Sequence, residues 1–179
     1  TEDIEGVTTI STWFQNNTDI ETFDELERFT GVTSLSDYAF SGCTNLQKVA
    51  IKNIASFGHS VFRQCSSLVQ DIYAPNLTSM GILCFLNSGI TSFVAPLLKA
   101  IPGYSASEST FMKCTNLVKV ETPILESIGN YVFSGCASLS DFSLPESLTT
   151  LGNGALYNCT ALSYDELNLP NLTSLGINA

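Results

Sequence analysis

The stretch Cys136-Ala-Ser-Leu139-Ser-Asp-Phe142-Ser-Leu144-Pro145-Glu-Ser-Leu148-Thr-Thr-Leu151-Gly152 decides the fold, because the chain repeats it in register from one end to the other. Working outward, Cys43, Cys65, Cys114, Cys136 and Cys159 follow one another at intervals of 22, 49, 22 and 23 residues, with Ser88 standing inside the long gap. Three residues before these positions come Phe40, Phe62, Phe85, Phe111, Phe133 and Leu156. After them come Leu46, Leu68, Ile90, Leu117, Leu139 and Leu162, then Val49, Ile72, Phe93, Val120, Phe142 and Leu167. Pro75, Pro96, Pro123, Pro145 and Pro170 close five units, and an apolar-x-x-apolar-Gly segment ends at Gly81, Gly129, Gly152 or Gly176. Val7, Ile10, Phe14, Asn17, Ile20 and Phe23 continue the pattern backward, with Asn17 in the cysteine position. Self-similarity at this period implies units that bury their apolar faces only by stacking on one another.

The unit resembles the BspA-like class of leucine-rich repeats, over roughly residues 7–176. The resemblance implies a leucine-rich-repeat solenoid of about seven coils, made of short parallel β-strands joined by short helical or 3-10 turns. It further implies a bacterial surface or secreted protein that acts by binding, although some relatives occur in parasitic protists. Residues 1–6 read as a lead-in and 7–179 as one solenoid domain, a part of a longer protein. The departures are the first unit, Ser88, and Pro102 to Thr110, which adds about four residues.

Stacking dictates the roles of individual residues. Each coil pairs a short strand with the next at ~4.8 Å, the proline ends that strand for want of an N–H, and the glycine permits the tight corner that follows. The cysteines read as a structural ladder of buried thiols, with Cys84 in a separate core position. Their spacing contains no C-x-x-C pair, which disfavours zinc, and parallel Cβ vectors disfavour bridging. No metal or cofactor is expected.

Composition narrows the function. Seventeen acids against seven Lys and Arg give a net charge of -10, which leaves no basic footprint for nucleic acid. Apolar runs such as Ile82 to Leu86 are far shorter than the ~20 residues of a membrane span. The start has neither the basic head nor the apolar stretch of a secretory signal. The only histidine, His59, follows Gly58 and reads as a turn residue, so no Ser-His or Cys-His nucleophile is indicated and no enzyme is expected. Asp165-Glu166 falls in an insertion and reads as a solvated bulge. Of the glycosylation sequons at Asn16, Asn76, Asn158 and Asn171, three arise from the repeat itself.

Function is therefore expected on the strand face, where side chains flanking the central apolar residue point outward. These are Thr22 and Asp24, Lys48 and Ala50, Asp71 and Tyr73, Ser92 and Val94, Lys119 and Glu121, Asp141 and Ser143, and Glu166 and Asn168. The core columns repeat while this face varies. Lys48, Asp71, Tyr73, Lys119, Glu121 and Asp141 are the expected contacts for a protein or cell-surface macromolecule, since charged and aromatic groups dominate hot spots. The alternative is a structural spacer or assembly subunit of a surface fibre or phage tail appendage, self-associating through the solenoid ends.

Overall fold

The computed structural model describes residues 6–164 and 166–179. Five residues of the lead-in and Asp165 of the acidic pair lie outside them. The described chain winds as a parallel solenoid of about seven turns, with two short 3-10 helices, Thr12–Phe14 and Asp24–Arg28. Each turn brings side chains of like position together. Phe14, Phe40, Phe62, Phe85, Phe111 and Phe133 form one column, with ring centroids 5.1 to 5.5 Å apart and planes within 18° of parallel. Those separations exceed the ~4.8 Å spacing of paired strands, so the rings stack with an offset, the arrangement that aromatic quadrupoles favour. Phe57 and Phe93 meet this column edge-on.

Two strand columns run along the molecule. The expected one comprises Thr22–Phe23 paired with Lys48–Val49, and separately Asp71–Tyr73, Ser92–Val94 and Lys119–Glu121, all parallel. Asp141 extends the second group by a single bridge to Lys119. Ala74 and Ala95, each just before a proline, donate the last ladder bonds, so the prolines do stand where pairing stops.

A second column was not expected. It lies in the apolar-x-x-apolar-Gly segment and consists of Thr9–Ile10, Ser34–Leu35, Ser56–Phe57 and Ser79–Met80, then Ala100–Ile101, Ser127–Ile128, Thr150–Leu151 and Ser174–Leu175. Its outer surface is almost uniformly serine and threonine. Thr78, Thr149 and Thr173 turn their hydroxyls onto carbonyls of the preceding coil, those of Ala55, Glu126 and Thr149.

Two expectations need correction. The corner glycines do not serve by adopting a left-handed backbone, for Gly58, Gly81, Gly129 and Gly152 all lack positive φ. They stack backbone on backbone: a Cβ at Gly81 would lie 2.6 Å from the Gly58 carbonyl oxygen. The left-handed step falls two residues later, at Ser60, Leu83, Tyr131 and Gly154, with φ of 56°, 64°, 55° and 55°. Second, Leu167 is not a core residue but 53% exposed. The longer spacing from Leu162 takes it out of register, and the Tyr164 hydroxyl instead donates to the Phe142 carbonyl at 2.9 Å.

The cysteine column is buried and every thiol is free. Each Sγ–H points at the carbonyl of the phenylalanine in the previous coil: Cys43 to Phe14, Cys65 to Phe40, Cys114 to Phe85, Cys136 to Phe111 and Cys159 to Phe133, at 2.8 to 3.2 Å. Cys84, in its own column, donates toward Gly58 and Gly81. Burial pushes the thiols up, to about 11 for Cys43 and Cys159 and about 12 for Cys84 and Cys114.

Candidate functional site

On the expected strand column, the outward side chains fall into two rows. Asp71, Ser92, Lys119 and Asp141 share one row by register, and Tyr73, Val94 and Glu121 share the next. The alternation is visible in the burial of each strand, where Ile72, Phe93 and Val120 are inside and their neighbours outside.

Charges on this face are matched locally. Lys119 Nζ lies 3.1 Å from Glu121 Oε2 and 3.8 Å from Asp141 Oδ2. Glu121, which accepts its hydrogen bond, and then Asp141 hold the Lys119 ammonium above its ordinary value. Lys48 Nζ meets Asp24 Oδ2 at 2.9 Å, and Lys52 Nζ meets Glu27 Oε1 at 3.5 Å. Asp71 differs, since its Oδ1 accepts hydroxyl bonds from Ser92 at 2.8 Å and Thr91 at 2.9 Å. Those bonds, Ser92 first, hold its carboxyl below the usual range.

The sheet is split, and the split shapes the face. In most coils the leucine and the strand's central apolar residue are three positions apart, as in Leu46 to Val49 and Leu117 to Val120, but Leu68 and Ile72 are four apart. The extra residue places Gln70 between two strands. Its carboxamide imitates a peptide group, accepting from Val49 N at 3.1 Å through Oε1 and donating to Val49 O at 3.0 Å through Nε2. Both Val49 groups are thereby satisfied without a strand neighbour on that side, and Lys48–Val49 pairs with Thr22–Phe23 but not with Asp71–Tyr73.

A groove of about 850 Å³ opens over this split, lined among others by Asp24, Lys48, Lys52, Gln70, Asp71 and Tyr73. A second, of about 500 Å³, lies at the other end of the three-stranded patch, where Lys119, Glu121, Pro123, Asp141, Ser143 and Glu146 surround it. Lys48, Asp71 and Tyr73 thus sit together in the first groove, and Lys119, Glu121 and Asp141 in the second. Sequence reasoning passed over Gln70, Val69 and Lys52. The signal for Gln70 was the four-residue step from Leu68 to Ile72.

Other singled-out residues have structural employment. His59 Nδ1 accepts from Ile82 N at 3.1 Å, and the His59 backbone N–H donates to Asp37 Oδ1. Asn130 and Asn153 make the same bond to the next coil, so this column is a ladder of side-chain acceptors. Asn76 and Asn171, two of the sequon residues, donate to carbonyls of Lys52 and Glu146 in the preceding coil. Among the described residues no three His, Cys, Asp or Glu side chains are grouped to hold a metal ion. Among them, too, no helix is long and apolar enough to cross a membrane.

Comparisons with known proteins agree with this architecture. The model of the BspA type leucine-rich repeat region, in six copies, matches residues 4–106 and 104–179. No curated protein matches the sequence. Among solved structures, a leucine-rich repeat protein from Eubacterium ventriosum is similar at 26% identity and TM-score 0.67, over 80% of this chain and 38% of that one. One from Bacteroides ovatus is 20% identical at TM-score 0.62, over 95% of this chain and 49% of that one. The leucine-rich repeat protein of T. pallidum is 22% identical at TM-score 0.67, over 91% and 76%. The chain therefore spans less than half the length of the first two. With repeat, register and stacking in agreement along its length, the chain belongs to the BspA-type leucine-rich-repeat family.

Proposed function

We propose that this chain is a recognition module, displayed outside a bacterial cell, that grips a protein or other surface macromolecule with its charged strand face and performs no chemistry. One observation carries the reading. Every aromatic or charged residue expected to make contact projects into one of two grooves on a single face, whereas the other strand column presents little but serine and threonine. Repeats of this family typically serve as protein-interaction modules, are generally non-enzymatic, and are typical of bacterial surface proteins. A concave, chemically varied patch on a uniform scaffold is what such a role requires.

The test is photo-crosslinking. A crosslinking residue placed at Tyr73 or Glu121 is expected to capture a macromolecule from the native surface environment, and one at Ser127 or Ser174 is not. Capture from the serine positions alone, or equally from both faces, sinks the assignment.

A further inference from the structure

The groove beside Gln70 carries more information than its shape. Along Val69, Gln70, Asp71, Ile72 and Tyr73, the first, third and fifth side chains face outward, and Val69 and Tyr73 are 59% and 52% exposed. The backbone of the same segment is half used. Thr91 N donates to Gln70 O and Ala74 N donates to Val94 O, which directs the peptide groups of residues 70, 72 and 74 toward the strand Ser92–Val94. Peptide groups alternate in direction along a strand, so those of Asp71 and Tyr73 face the groove. The opposite wall offers no competition, because Gln70 already occupies Val49. One wall of the groove is thus an open strand edge, the feature that extended peptides pair with.

Charge defines what such a peptide must carry. Asp24 and Glu27 are matched by Lys48 and Lys52. The Asp71 carboxylate is steadied by two hydroxyls, and among the described residues no cation lies within ion-pair distance of it. An anion set between an exposed aromatic ring and an exposed valine suits a side chain with a cationic head and an apolar stem. Arginine fits better than lysine, for its planar, weakly hydrated guanidinium lies flat on an aromatic ring while it bonds a carboxylate.

We propose that this groove takes an arginine on an extended segment of a partner protein, its guanidinium on Asp71, its stem across Tyr73 and Val69, and its backbone along the open edge. This inference rests on the recognition reading above and names the chemistry of its partner. The test uses the whole chain against immobilised pools of capped heptapeptides, each pool fixed at its central residue and random elsewhere. Arg-fixed pools are expected to retain the chain roughly fivefold better than Ala- or Glu-fixed pools, in line with exposed ionic and cation–π contacts. Asp71→Asn, which keeps the oxygen that accepts from Ser92 and Thr91, is expected to cancel that preference, as is Tyr73→Ala. Ser174→Ala on the other face is expected to leave it intact. Absence of an arginine preference, its survival in Asp71→Asn, or equal retention by Lys-fixed pools overturns the inference. If crosslinks still form at Tyr73 and Glu121 in that event, the recognition reading stands alone; if they fail as well, both fall.

Discussion

At the scale of single residues, the cysteine column shows why a repeat keeps a particular atom. A coil must bury the carbonyl of its phenylalanine, and the thiol of the next coil supplies a weak donor from a small apolar side chain. In the first described unit Asn17 holds the cysteine position, and its Oδ1 accepts from the N–H groups of Asp19 and Ile20. Burial has a consequence for pH. Cys84 and Cys114 hold their protons to about 12, against an ordinary value of 9.0, so the unfolded chain ionises first. The stability these thiols contribute is whole below pH 9 and is lost as pH rises through the folded values. The melting temperature, followed by circular dichroism from pH 7 to 10.5, should fall above pH 9, and less steeply in Cys114→Ala; parallel curves refute the mechanism. The corner glycines allow an equally direct check. Gly81→Ala sets a methyl against the Gly58 carbonyl, which stacking holds in place. Urea unfolding should show a loss within the ~1–3 kcal/mol common for overpacked sites, and an unchanged midpoint excludes a steric role.

At the scale of elements, the one-residue insertion at Gln70 both breaks the sheet and repairs the break. Gln70→Ala leaves Val49 N–H and C=O without their partner, and an unsatisfied buried group costs ~1–3 kcal/mol; chemical denaturation should register that loss. Deleting Gln70 altogether is the sharper experiment. It restores the three-residue step, lets Lys48–Val49 approach Asp71–Tyr73, and should close the groove while keeping the fold. The deletion variant is therefore expected to match or exceed the parent in urea midpoint and to lose capture at Tyr73; a variant that crosslinks as before refutes the groove's role. These elements also mark how far the sequence could be read. The phenylalanine and leucine columns were legible because their recurrence needs no local geometry, and the charged face followed from strand alternation. The serine-threonine strands escaped notice because two residues are too few to display a period. The groove escaped because Gln70 acts through a side chain imitating backbone, although the longer step to Ile72 recorded the insertion. The glycines were recognised as corner residues for the wrong reason, since a repeated glycine looks the same whether it relieves φ or makes room for a neighbouring coil. Leu167 was misplaced because apolar character alone does not show where an insertion has shifted the register.

At the scale of the whole molecule, stability is a nearest-neighbour property, because each coil touches only those before and after it. Chemically equivalent amides make this testable without perturbing the chain. Gly81, Gly129, Gly152 and Gly176 each donate an N–H to the previous coil, to Phe57, Ile101, Ile128 and Leu151 respectively, at 2.7 to 2.9 Å. The four bonds are nearly identical in geometry, but their surroundings differ. Ile128 in the middle is fully buried, whereas Leu175 in the last strand is 68% exposed. In a sample of these 179 residues, opening Gly176 disrupts one coil interface, while opening Gly129 disrupts two or requires fraying inward from an end. Amide exchange measured by NMR should thus be fastest at Gly176 and slowest at Gly129, each tenfold step in protection representing ~1.4 kcal/mol of opening free energy. Phe85→Ala, which empties a position in the central ring column at a cost of ~3–5 kcal/mol, should raise exchange at Gly81 and Gly129 far more than at Gly176. Equal protection at all four glycines would mean that the solenoid opens as one unit, and the nearest-neighbour account would then be wrong.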